Sequence, residues 1–309
     1  MKLRRQLHSA RGFATLAHDV FGEPRKVLRL VDDAPVPSPG PGQVCVRVSA
    51  CQVLPEDLRA MRGLSLHRRR PGIAGSTGVG TVISVGAGVP PSSLQLGDSV
   101  LVLGGSEGVW GAHCLADAAG VHRLPALLEA RRAALLPSLL CAHHLLTAYH
   151  PLQPGDKCLM LAGPEPCPST RALSAVAEAL GVVLVSSTER GSKFGLCLTS
   201  QPAAALDCAR ALGPRGTLVV YTGPTDPMAP AGKAAAGVSV PVSSSIFTGT
   251  RVCGFALPGM PRAAAERSLA AVLELAGAGR LDLPSAAAAV EAREAAAAVE
   301  GGAGAVIVL

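Results

Sequence analysis

At 309 residues, with 3% aromatics and a formal net charge of +6, the chain can bury a sizeable, mainly aliphatic core divided into two lobes. The charge is modest and no basic stripe interleaves with aromatics, so a dedicated nucleic-acid surface is unsupported, while affinity for acidic partners stays open. No apolar run approaches ~18 residues, so no membrane span is expected. The nine cysteines include no CxxC pair, which argues for a reducing compartment and against a disulfide frame or a zinc site.

The first segment, MKLRRQLHSARGFATLAH, carries Lys2, Arg4, Arg5 and Arg11 and no acid before Asp19. Leu3, Leu7 and Ala10 share one helical face, so residues 1–20 read as a mitochondrial targeting segment. Arg25–Asp32 is predicted as a strand, followed by the proline–glycine turn Pro35–Gly42. Gln43–Ala50 alternates Val44, Val46 and Val48 with Cys45 and Arg47, the period of a strand. A short helix at Pro55–Met61, a glycine-punctuated strand over Gly75–Gly88 and a strand at Ser99–Leu103 complete a small β-rich lobe.

The period then changes. Leu127–Ala148 reads as helix, with Pro137 as a kink or a break. Cys158–Ala162, an amphipathic run ending at Leu180-Gly181, and Val182–Val185 form strand, helix and strand, the frame of a dinucleotide-binding unit. The turn inside that frame reads Gly163-Pro164-Glu165-Pro166-Cys167-Pro168-Ser169-Thr170. Prolines and a glutamate stand where glycines would let backbone amides approach a pyrophosphate. Ser169 or Thr170 instead offers a hydroxyl helix cap. Phe194–Leu198 is the next strand, and Ser187–Lys193 is too short for a helical crossover, leaving a bare strap and an open sheet edge. A helix at Ala203–Leu212, strands at Thr217–Tyr221 and Arg251–Ala256, helices at Arg262–Ala276 and Ala286–Val299, and a strand at Ala305–Leu309 follow.

The pieces PxPGPGQVCVRV, GxxGVGTVISVGAGV, LQLGDSV, LQPGDKCLM, LGPRGTLVVYTG and IFTGTRVCGF stand in the order of the medium-chain dehydrogenase/reductases. The chain resembles the zinc-free branch over residues 20–309, above all mitochondrial trans-2-enoyl thioester reductases, and then quinone reductases. The resemblance implies an α/β fold: a GroES-like β-rich lobe (21–135 and 285–309) and a trimmed Rossmann doubly wound parallel-sheet lobe (136–284) with one crossover deleted. It implies NADPH between the lobes and a tyrosine assisting at the substrate carbonyl.

Residue by residue, the carry-over is poor. Pro168 and Thr170 take the positions of family glycines, leaving Gly163 as the vestige of the phosphate loop. Arg190 and Lys193 are weak candidates for a 2′-phosphate. The loop Arg62–Arg70 lacks the tyrosine and offers Ser65, His67 and the basic run Arg68-Arg69-Arg70 instead. The family's Asn-Pro pair is Leu54-Pro55. Of the two tyrosines, Tyr149 and Tyr221, the second ends a sheet strand, where a core role is expected. His143-His144 sits near the cleft on diverging helix faces and Trp110 is expected to pack.

These readings favour a non-catalytic member, with no cofactor and no metal, serving as a subunit beside other proteins in a mitochondrial assembly such as a respiratory complex or the mitoribosome. The sheet edge near Arg251–Phe255 is then offered to a second copy or to another protein. The alternative is an active NADPH-dependent enoyl thioester or quinone reductase in mitochondria.

Overall fold

The computed structural model describes residues 15–31, 35–64, 71–104, 108–126, 128–162, 168–199, 202–221, 246–283, 289–291, 294–295, 299 and 306–309. The β-rich lobe contains β1 (Thr15–His18), α1 (Pro24–Val27), β2 (Arg29–Val31), β3 (Gln43–Gln52), α2 (Pro55–Met61), β4 (Gly72–Ile73), β5 (Thr77–Val85), β6 (Ser99–Leu103), β7 (His113–Asp117) and β8 (Val121–Arg123). Two helices, α3 (Ala130–Ala133) and α4 (Leu136–Thr147), lead into the second lobe. It holds β9 (Lys157–Leu161), α5 (Pro168–Leu180), β10 (Val183–Val185), β11 (Ser192–Cys197), α6 (Pro202–Ala211), β12 (Leu212–Val220), β13 (Arg251–Gly254) and α7 (Arg262–Gly277). The chain returns to the first lobe as β14 (Ala289–Glu291) and β15 (Val306–Val308), where β15 pairs antiparallel with β3.

In the first lobe, the valines of β3 face inward because successive strand residues point to opposite faces. Val44, Val46 and Val48 are buried while Arg47 is exposed. Trp110 fills the lobe's centre and is wholly buried. Gly75 makes room for it: φ is +82°, and an added Cβ would stand 2.0 Å from Trp110 Cδ1.

The second lobe is a parallel sheet in the order β10-β9-β11-β12-β13. Cys158, Phe194, Leu196 and Val219 turn one face toward α4, α5 and α7, while Leu159, Cys197 and Leu218 turn the other toward α6. Beyond β10 no further strand pairs among the described residues, so β10 is an edge. Ser186–Gly191 carries the chain from β10 across β9 to β11 without a helix. It is held by the Lys157–Glu189 ion pair at 2.6 Å and by Gly191 N–H donating to the Ala211 carbonyl at 2.9 Å. Gly181, at φ +74°, ends α5 in the left-handed conformation that glycine tolerates.

The structure changes two local expectations and bears on two more. Thr15–His18, inside the stretch read as a leader that could be retained, pairs with both β2 and β4 and buries Leu16; residues 1–14 lie outside the described residues. Arg25–Asp32 divides into α1 and β2, since Pro24 pre-sets a helical φ at the start of α1. Of the two readings of Pro137, the break holds: it falls in the first turn of α4, where a missing N–H is tolerated. Ala289–Glu291, inside the predicted helix 286–299, is strand β14, because pairing with β15 overrides alanine's helix propensity.

Candidate functional site

In an open parallel sheet, the C-terminal strand ends and the N-terminus of the following helix form the natural ligand crevice. Here that crevice faces α2 of the other lobe. β12 delivers Tyr221, which is 4% exposed and whose N–H donates to the Cys197 carbonyl at 2.9 Å. Its phenol reaches across the seam and donates to Glu56 Oε1 at 2.7 Å. Glu56 is placed by α2, which opens on Pro55 and is capped where the Asp57 carboxylate accepts from Leu54 N–H at 2.9 Å. Ser169, on the first turn of α5, and Cys141 of α4 lie close enough to the same phenol to bear on its ionisation.

Leu54, Cys141 and Leu257, with Phe255 and Met260 against them, make the surroundings apolar. The Phe255 ring packs tilted at 5.5 Å from the Tyr221 ring and at 5.1 Å from His144. Such walls penalise charge. Burial raises the Glu56 carboxyl from its ordinary value, with the Tyr221 hydrogen bond, its own backbone N–H and the Arg59 charge acting against it. Burial, then the nearby Glu56 charge, pushes Tyr221 well up. Burial likewise raises Cys141. The second carboxyl oxygen, Glu56 Oε2, is buried without a hydrogen-bond partner. An orphan acceptor of this kind costs on the order of 1–3 kcal/mol.

The seam is also tied by Ser138 Oγ donating to Gln52 Oε1 at 2.9 Å and by Arg262 donating to the Ala118 and Ala119 carbonyls at 2.7 and 2.8 Å. His143 Nδ1 meets Ser268 Oγ at 3.2 Å, which anchors α4 on α7, and burial lowers its pKa. His144 packs on Phe255 and Tyr149. Trp110 packs as expected.

The sequence-derived cofactor candidates scatter. Gly163 lies outside the described residues, as do Ser65, His67 and Arg68–Arg70. Pro168 starts α5, so Ser169 and Thr170 are buried inside its first turn and neither is the cap. Arg190 and Lys193 are at the wrong end of the sheet: Lys193 is level with Lys157, where β9 and β11 begin, opposite the ligand crevice. The strap explains it, because it carries the chain from the C-terminal end of β10 back to the N-terminal end of β11. There, Arg190 and Lys193 border a pocket of about 260 Å³ with His150, Asp156 and Lys157.

A nicotinamide dinucleotide suits part of this crevice. Its phosphates could be met by the backbone at the α5 N-terminus, and the orphan Glu56 Oε2 is an acceptor suited to a ribose hydroxyl or a carboxamide N–H. Its adenosine end is unsupported among the described residues, where β10 is an open edge and neither candidate cation is near.

Sequence reasoning missed the Glu56–Tyr221–Ser169 cluster. The available signal was a tyrosine directly after a parallel strand, one of two in the chain, and a glutamate directly after the proline opening α2.

Known proteins provide the frame for these observations. Residues 40–126 match the family model of the alcohol dehydrogenase GroES-like domain. The mitochondrial enoyl-[acyl-carrier-protein] reductase of Xenopus tropicalis is 26% identical over 288 residues, covering 80% of this chain and 77% of that protein. Among solved structures, quinone oxidoreductase from Pseudomonas syringae superposes with a TM-score of 0.79 at 18% identity, covering 96% of this chain and all (100%) of that one. Escherichia coli quinone oxidoreductase, crystallised with NADPH, gives 0.78 at 17% identity with the same coverage, 96% and 100%.

Proposed function

We propose, from the premise that this chain has the medium-chain dehydrogenase/reductase fold, that it reduces a conjugated carbonyl, an enoyl thioester or a quinone, with NADPH, in mitochondria. The observation that carries this reading is the Glu56–Tyr221–Ser169 cluster at the crevice. A chain relieved of chemistry gains nothing from an ionisable carboxyl with an orphan oxygen in an apolar seam, because an apolar residue of similar volume would be as stable or more so. Groups of raised pKa that converge on a crevice fit acid–base work. The relatives support the same reaction class, and the likeness to a mitochondrial reductase supports the compartment.

The bound dinucleotide would supply the hydride equivalent. The chain's own residues hold and exclude. The backbone at the α5 N-terminus would meet the phosphates, Leu54, Leu257 and Phe255 keep water from the reacting end, and Glu56 and Tyr221 hold protons there. Fluorescence titration with NADPH, followed by turnover of crotonyl-coenzyme A or a benzoquinone, tests this. Micromolar binding with turnover is expected; absence of both would sink it.

A second reading has its own support. The proline-rich turn 163–168 lacks the glycines of a phosphate cradle, and the open edge at β10 offers no adenine wall. Those features favour a non-catalytic subunit of a mitochondrial assembly. Val252 on β13 and Phe247 just before it, 42% and 85% exposed, would suit a protein partner or a second copy. Migration of the native protein with a megadalton complex, with no NADPH bound, would favour this reading.

A further inference from the structure

We infer that the pocket of about 260 Å³ at the N-terminal end of the parallel strands binds a phosphate monoester, at a site separate from the crevice. This does not rest on the reductase reading. The strap and the sheet bring the cations of the pocket together from two stretches of chain. Arg190 and Lys193 flank the start of β11, and Lys157 opens β9 level with Lys193. Ser192 stands between the first two, is 7% exposed, and makes no side-chain hydrogen bond among the described residues. A buried hydroxyl on a pocket wall needs a partner, and a phosphate oxygen supplies one. Another wall is His150, whose ring stacks on Phe194 at 5.9 Å with the planes 10° apart.

The charges around the pocket do not cancel. Lys157 is matched by Glu189 at 2.6 Å. The Asp156 carboxylate also borders the pocket, and it accepts from Gln153 N–H at 2.7 Å, closing the turn before β9. Lys193 donates to the Pro214 carbonyl at 2.8 Å, which occupies one N–H and leaves its charge whole. Arg190 makes no hydrogen bond or ion pair among the described residues, so its whole guanidinium fork is available. Its backbone is nevertheless fixed, because Gly191 follows at φ +95° and donates its N–H to the Ala211 carbonyl at 2.9 Å. A planar fork, a compact ammonium and a hydroxyl suit the three oxygens of a phosphate group better than the two of a carboxylate. The volume falls just short of the ~300–1,000 Å³ of sites for drug-sized ligands, so a phosphate bearing a small organic group fits and a dinucleotide does not. Such a ligand would tie Arg190 of the strap to the starts of β9 and β11, where an exposed ion pair such as Lys157–Glu189 holds it only weakly.

Calorimetric titration of the full-length chain with inorganic phosphate and with glycerol 1-phosphate, at an ionic strength held constant with chloride, tests the inference. Both probes should saturate at a single site per chain. Arg190→Ala should weaken the affinity by about tenfold or more, the effect of losing a charge-assisted contact, and Ser192→Ala should weaken it too. Arg190→Lys should recover only part of the loss, because a point charge replaces a fork. Lys26→Ala, which removes an exposed cation from α1 in the other lobe, should bind as wild type does. Tighter binding of the monoester than of free phosphate would support the site and assign the organic group to the His150 wall; equal affinities would support it with the phosphate group as the whole determinant. A titration that does not saturate, that acetate reproduces at the same ionic strength, or that Arg190→Ala leaves unchanged would overturn the inference. The pocket and the crevice lie at opposite ends of the sheet, so NADPH binding and turnover, measured on the same variants, decide the reductase reading separately.

Discussion

Glu56→Gln should make the protein more stable at neutral pH while making it a poorer catalyst. The amide retains an oxygen for the 2.7 Å hydrogen bond from Tyr221 and removes the charge. In the folded protein the Glu56 carboxyl titrates above its unfolded value because burial disfavours the carboxylate. The stabilisation due to this raised pKa is therefore fully present below the unfolded pKa and is lost as pH rises through the folded one. At about pH 4, where an ordinary glutamate is roughly half protonated, wild type and variant should agree to within about 1 kcal/mol, the worth of a neutral hydrogen bond. By about pH 8 the wild type holds a buried carboxylate where the variant holds a neutral amide, and the variant should lead by about 1.4 kcal/mol for each pKa unit by which burial raises the carboxyl. With a urea m-value of about 3 kcal/mol/M, a 2 kcal/mol lead moves the midpoint by about 0.7 M. Urea unfolding at matched pH values, followed by far-ultraviolet circular dichroism, measures it. A gap that stays flat with pH, or that favours the wild type at high pH, would refute the reasoning and make Glu56 a structural tie.

Arg190→Ala and Lys193→Ala should leave NADPH affinity within twofold of wild type, because both residues lie at the N-terminal end of the parallel strands, away from the crevice; equilibrium titration checks this. Gly75→Ala should destabilise the β-rich lobe by about 2–4 kcal/mol in urea unfolding, combining a left-handed backbone with a methyl group driven into Trp110.

The architecture was largely legible because its signals are local. Val44, Val46 and Val48 give the strand period, Pro55 opens α2, Gly181 closes α5, and the short span from Val185 to Phe194 demands a strap instead of a helix. Errors arose where a distant partner decides. Ala289–Glu291 has helical composition yet becomes a strand because β15 lies beside it. Thr15–His18, in a stretch of helical pattern, becomes a strand because β2 and β4 pair with it. The candidate site was hidden for the same reason. Glu56 and Tyr221 are 165 residues apart in sequence, and neither belongs to a motif. Only the docking of one lobe on the other makes them neighbours. Arg190 and Lys193 show the converse: adjacency in sequence to the end of β10 suggested a ribose, but the strap delivers them to the opposite end of the sheet.

The two functional readings differ in what the seam should have become. The proline-rich turn offers few backbone donors to one end of a dinucleotide, and the open β10 edge offers no wall to the other. Both features weaken binding without touching the reacting end. If chemistry had lapsed altogether, the reacting end would be free to drift toward the best-packed core, and Leu54, Cys141, Leu257 and Phe255 show how apolar its surroundings already are. A carboxyl facing a phenol there is the least favourable occupant on stability alone, since its second oxygen is buried with no partner. Its presence is accounted for by a ligand that supplies the missing donor or by a proton that must be held and released. On the reductase reading, the stability gain expected for Glu56→Gln is joined by a loss of turnover in Tyr221→Phe. A seam kept only for packing cannot give both results.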